Sequence, residues 1–231
     1  MKAKVNTLFA LSLLAFAPTV FAQYTLTLTG VGDGAVSNGV FVSPYVGTIQ
    51  QGTSSGPTTY TGYMICDDFT TESYLNTSWA ATETASGALN GTEKFTGSVM
   101  FQGTNYTAQQ AYNAASWLAT QLMLPGNVTN AAAQTNLSFA IWNIFDSGNA
   151  SSSAAVAALE QTAFTTYDNT VQSSVSVYTP SSSNPNGKNQ SQEFLVVNPN
   201  AAPEIDPTSA ASALTLLLGG LVVFRGRKLR A

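Results

Sequence analysis

Tyr24-Thr25-Leu26-Thr27-Leu28-Thr29 sets an apolar residue at every second position, the period of a strand with one buried face. Further along, Thr107-Ala108-Gln109-Gln110 opens a different pattern. The Thr hydroxyl and a Gln three residues later form a capping box, and Ala111, Ala115, Leu118 and Leu122 follow at helical spacing. Between these two stretches the period changes from two to nearly four. The chain therefore reads as α+β, a β-rich body with an inserted helical subdomain.

Working outward, Gly30-Val31-Gly32-Asp33-Gly34 is a turn after the first strand, and it lacks the Gly-Lys-Ser/Thr ending of a phosphate loop. Strands are expected over 40–42, 45–49, 63–66, 94–101 and 105–106. Pro125-Gly126 ends the first helix, a second covers about 131–145, and Ser153 caps a third over 154–167. Strand character returns over 171–178 and 193–197, with a polar loop over 180–190 and a tether over 198–202. The expected division is β-rich over 23–106, helical over 107–168 and β again over 171–198, all within one extracellular domain spanning 23–200.

Composition narrows the function classes. Of the eight Lys and Arg, only Lys94 and Lys188 fall between residues 23 and 200. A surface this poor in cations repels phosphate backbones, so nucleic acid is not an expected partner. No histidine is present, which removes Ser-His-Asp and Cys-His catalysis and His-based zinc sites. A single cysteine makes no internal disulfide. No cofactor and no metal are expected. Asp67 and Asp68, with Asp33 or Glu72, lack the spacing of a calcium loop and read as a solvated strand edge.

Both ends of the chain speak of export. Lys2 and Lys4 precede a short apolar run over 8–16, and Val20 and Ala22 supply the small residues of a signal-peptidase site. Residues 1–22 are the expected signal peptide. At the other end Pro203-Glu204-Ile205-Asp206-Pro207 precedes an apolar run over 208–224, within the roughly 17–25 residues that cross a bilayer as a helix. Arg225, Arg227, Lys228 and Arg230 follow it over 225–230, and positive charge stays cytoplasmic. Residues 202–231 resemble the PEP-CTERM sorting domain of Gram-negative bacteria. Ile205 stands where the family's second proline is expected. The resemblance implies a C-terminal single transmembrane helix, transient anchoring in the inner membrane, recognition by exosortase, and release to the cell surface or extracellular matrix. An unprocessed C-terminal anchor is the alternative.

Met64-Ile65-Cys66-Asp67-Asp68-Phe69, taken with Leu137-Ser138-Phe139-Ala140-Ile141-Trp142, resembles the thioester domains of bacterial surface adhesins. In that family a strand cysteine bonds to a glutamine in an apolar-Gln-x-x-apolar-Trp helix motif. Here Leu137, Ile141 and Trp142 match, and Ser138 occupies the glutamine position, so the family's bond cannot form there. Gln134, one turn earlier, is the candidate replacement. The competing reading makes Cys66 a buried small residue and Trp142 a core anchor.

The expected function is a non-enzymatic exported surface or extracellular-matrix protein, adhesive or associated with the extracellular polysaccharide of a biofilm. The alternatives are a covalent thioester adhesin using Cys66 and a secreted glycan hydrolase using paired carboxylates. Tyr60, Tyr63, Tyr74 and Trp79 are candidate exposed aromatics for sugar faces, or else part of the core.

Overall fold

A computed structural model describes residues 23–52, 57–146, 152–181 and 191–198. The body is mixed α and β, with β-rich architecture and four helices. Strands β1 (Gln23–Gly30), β4 (Tyr45–Gln51), β5 (Thr58–Cys66), β6 (Ser78–Ala85), β9 (Val175–Pro180) and β10 (Phe194–Val197) close a barrel in the order β1-β4-β5-β10-β9-β6. Every neighbouring pair is antiparallel. Closure gives each strand two neighbours, although on β5 only Ile65 and Cys66 pair with β10, and residues 58–64 pair with β4 alone. Two short hairpins, β2 (Val36–Ser37) with β3 (Val40–Phe41) and β7 (Val99–Phe101) with β8 (Thr104–Tyr106), stand outside the barrel.

The alternation in β1 buries Leu26 and Leu28 inside the barrel, where Ile49, Met64, Trp79 and Phe194 meet them. Gly47 is required at its place. A Cβ there would stand 2.3 Å from Met64 Sδ and 2.8 Å from the Thr27 carbonyl oxygen. The helices α1 (Ala108–Leu122), α2 (Pro125–Val128), α3 (Ala131–Phe145) and α4 (Ala154–Thr166) lie in sequence between β8 and β9. Helices α1, α3 and α4 pack on one another, and the layer docks through α1 against β10 and α3 against β5. That covering explains why Ile65 and Leu195 are buried like their inward neighbours.

The helical expectations hold closely. Thr107 caps α1 with both bonds of the capping box in place, and Ser153 caps α4. Pro125 follows the end of α1 and also opens the single turn of α2, as its fixed φ and missing N–H allow.

Several strand expectations need correction. Residues 94–98 are irregular, because the Lys94 and Phe95 amides donate to the Glu193 carboxylate and the Tyr112 hydroxyl and not to a neighbouring strand. Strand β9 begins at Val175, leaving Val171 exposed. Strand β6 was not anticipated; its Ala and Glu content is low in β preference, yet pairing with β1 and β9 closes the barrel. Asp67 and Asp68 are fully buried and form no solvated edge, and Trp79 lies in the barrel core. Tyr60 is exposed, while Tyr63 and Tyr74 are half-buried.

The expected signal peptide over 1–22, the sorting signal over 202–231 and its apolar run over 208–224 lie outside the described residues. Among the described residues no helix is long and apolar enough to cross a membrane.

Candidate functional site

Strand β5 ends at Cys66, and the chain then runs into the seam between the barrel and the helices. Three polar contacts hold this end. The Cys66 amide donates to Ser43 Oγ at 3.0 Å, and the Ser43 amide donates to Ser138 Oγ at 3.0 Å. Trp142 Nε1 donates to the Cys66 carbonyl oxygen at 2.9 Å. The two sequence motifs, on β5 and α3, are thus brought together. Ser138, in place of a glutamine, acts as a hydrogen-bond acceptor one residue removed from Cys66.

Gln134 is differently engaged. It is buried, and its Nε2 donates to the Val128 carbonyl at 2.6 Å and to Asp33 Oδ2 at 3.3 Å. Those bonds hold α2 and the β1–β2 turn against α3. The carboxamide beside the cysteine belongs to Gln192, just before β10. Gln192 Nε2 donates to the Asp68 carbonyl oxygen at 2.9 Å, and Cys66 Sγ donates to the same oxygen at 3.2 Å. Sequence reasoning missed Gln192, because 124 positions separate it from Asp68 and no local motif surrounds it. Burial pushes the Cys66 thiol well above its ordinary value, and the charges of Asp68 and Asp67 push it further. The thiol is therefore the resting form.

A second network lies beside the first. Glu193 is fully buried and accepts from the Tyr112 hydroxyl, the Thr179 hydroxyl and, at 2.9 Å, the Lys94 amide. The Asp67 carboxyl meets no hydroxyl, amide or ammonium among the described residues and stands against Glu193. Burial first, then the negative charges of Glu193 and Asp68, hold the Asp67 carboxyl well above the usual carboxylate range. Burial also raises Glu193, but its hydroxyl and amide donors oppose that. The proton accordingly rests on Asp67, beside the Glu193 carboxylate. This is a paired-carboxylate arrangement, yet both side chains are 0% exposed, so no sugar ring reaches them.

Lys94 completes the site. Its Nζ contacts Asp68 Oδ2 as an ion pair and also Thr71 Oγ1. The Asp68 side chain is 0% exposed and that of Lys94 is 24% exposed.

The seam opens into a groove of about 540 Å³, whose walls include Phe41, Tyr45, Phe69, Tyr74, Trp142 and Gln192. Among the described residues Glu72 is the one charged side chain lining it, and the Tyr74 hydroxyl donates to Glu72. Phe41 and Leu75 are 47% and 45% exposed at its mouth. Of the candidate aromatics, Tyr74 lines this groove, whereas Tyr60 and Tyr63 lie on β5 in register with Ile49 and Val46 of β4. Phe41 and Phe69 were not singled out from sequence. Aromatic faces beside amide and hydroxyl groups, with no cation among the described residues of the lining, suit an uncharged ligand with apolar ring faces and hydroxyl edges.

The raised carboxyls have a consequence for stability. The folded chain keeps a proton on Asp67 that the unfolded chain releases above its ordinary value of 3.8. Stability is therefore greatest in mild acid and falls as pH rises, by about 1.4 kcal/mol per pH unit for one proton, until folded Asp67 titrates. The raised Glu193 acts in the same direction. Thermal unfolding between about pH 5 and pH 8 is expected to show a falling Tm, with a flatter slope in Asp67→Asn. A Tm that climbs across that range would contradict the assignment of the proton.

No protein-family model, no curated protein and no solved structure matches the chain.

Proposed function

We propose that this chain is an exported bacterial surface or extracellular-matrix protein, sorted by exosortase through residues 202–231, whose folded body is a non-enzymatic binder of neutral polysaccharide. The observation that carries the reading is the closure of the barrel between the two terminal segments. Strand β1 starts at Gln23 and pairs with β4 and β6, and β10 ends at Val197 and pairs with β5 and β9. Signal peptidase acting after Ala22 and exosortase acting near Pro203 to Pro207 would remove no barrel strand. Asn198 then leads straight to the sorting segment.

The groove supports the ligand class. Hydroxyls pair with Gln192, Ser73 and Thr71, and sugar faces lie on Phe41 and Tyr74. With no cation among the described residues of the lining, binding is expected to release no counterions and to depend little on salt.

Processing is tested by the mass of the protein recovered from its own bacterium. With exosortase present the mature chain is expected to lack residues 214–224, and deletion of that enzyme leaves the tail intact in the membrane. Peptides from 208–224 persisting on the surface protein of the wild-type host would sink the sorting claim. Ligand binding is tested on the host's own exopolysaccharide across ionic strength. Affinity should stay nearly constant, and Phe41→Ala or Tyr74→Ala should each weaken it roughly fivefold, the loss of about 1 kcal/mol of ring contact. A steep loss with added salt, or tight binding to DNA, would overturn the ligand class.

One observation favours a second reading, a covalent adhesin. The Cys66 thiol and the Gln192 carboxamide share the Asp68 carbonyl as acceptor. Joining Sγ to the Gln192 carboxamide carbon would expel ammonia and leave a thioester open to amines. Under the first reading the protein shows no loss of ammonia, ignores methylamine, and labels at Cys66 only on unfolding. A methylamine adduct on Gln192 that disappears in Cys66→Ala would establish the second reading instead.

A further inference from the structure

Lys94 carries the only positive side chain among the described residues, and it is spent on a fully buried carboxylate. Both partners are held at several points. The Lys94 amide donates to Glu193 Oε2 at 2.9 Å, and the next amide, Phe95, donates to the Tyr112 hydroxyl at 3.2 Å. The Phe95 ring stacks on Phe145 with centroids 4.5 Å apart, and the Lys94 ammonium lies 5.6 Å from the centroid of the Phe95 ring. On the other side Asp68 Oδ1 accepts from the Thr71 amide at 3.2 Å and the Thr70 hydroxyl at 3.3 Å. Its Oδ2 faces Lys94 Nζ. The arrangement holds an amine against a carboxylate oxygen, beside the stacked rings of Phe95 and Phe145.

We propose that Lys94 and Asp68 are joined by an intramolecular isopeptide bond. The bond depends on neither reading of the groove nor on terminal processing. In the reaction a bond forms between Lys94 Nζ and Asp68 Cγ, and the Cγ–Oδ2 bond breaks. Two of the three ammonium protons leave with Oδ2 as water, and the third stays on the amide nitrogen. Ammonium and carboxylate thus become a neutral amide and water, with no oxidant, cofactor or co-substrate.

Condensation is unfavourable for free groups in water. Groups fixed in contact react with effective concentrations on the order of 10⁵–10⁸ M, which reverses that balance. Burial adds to it, since a neutral amide loses less hydration than an ion pair does. The product would tie the end of β5 to the irregular segment ahead of β7, across a separation of 26 residues.

The test is the intact mass of the full chain under denaturing conditions, with its termini defined by peptide mapping. The wild type is expected to be one water lighter than its sequence, with the peptides holding Lys94 and Asp68 recovered as one branched species. Lys94→Arg and Asp68→Ala are expected at full mass. The wild-type mass decides by itself, whether or not the variants fold. A full mass, with the Lys94 amine open to acylation after unfolding, would overturn the bond. Loss of ammonia instead of water would place the linkage at Cys66 and overturn it equally.

Discussion

Glu193→Ala is expected to remove about 3–5 kcal/mol of stability, the range seen when a buried charged partner is deleted. Glu193 is the common acceptor for the Tyr112 hydroxyl, the Thr179 hydroxyl and the Lys94 amide. These donors come from α1, from β9 and from the segment ahead of β7. Truncation orphans all of them in a site without solvent access and removes the carboxylate that Asp67 faces. Glu193→Gln keeps the volume and one acceptor oxygen, so a loss of about half that size is expected. Urea unfolding followed by intrinsic fluorescence measures both, with the midpoint shifting and the slope unchanged. A loss below about 1 kcal/mol for the alanine variant would mean that the network does not hold the helices to the barrel.

Trp142→Ala is expected to cost about 3–5 kcal/mol, as for other fully buried large aromatics. Its ring packs on Phe69 and Phe139 with centroids 5.1 and 5.4 Å apart, and it is 2% exposed. The indole nitrogen also satisfies the Cys66 carbonyl at 2.9 Å. Trp142→Phe separates the two contributions. It retains most of the packing and leaves that carbonyl without its donor, for a loss of about 1–3 kcal/mol. Since Trp142 also lines the groove, the alanine variant should lose polysaccharide binding even under conditions where it remains folded. If Trp142→Ala unfolds at the wild-type midpoint, α3 does not anchor on β5 in the way described.

Much of the local structure was legible because its causes lie within a few residues. The capping box at Thr107, the cap at Ser153 and the apolar spacing of α1 each depend on neighbours three or four positions away. The alternation of β1 likewise declares its own buried face. The motifs around Cys66 and Trp142 were also visible, and the fold brings them into contact. Sequence alone carried the export reading too, through the charge and hydropathy order at both termini.

Tertiary structure decided what depends on distant partners. Asp67-Asp68 reads as a solvated pair because acidic residues are seldom buried alone. They are buried here because Lys94 and Glu193 converge on them from 26 and more than a hundred residues away. Gln192 in place of Gln134 beside Cys66 is the same kind of result, set by the pairing of β10 with β5. Residues 94–98 left the sheet because a carboxylate and a phenol took their amides. Strand β6 exists because the barrel needs a strand between β1 and β9, although its own side chains argue weakly for one. Periodicity and capping are short-range physics, written into adjacent residues. Burial of charge and closure of a barrel are long-range, and only the folded chain brings their partners together.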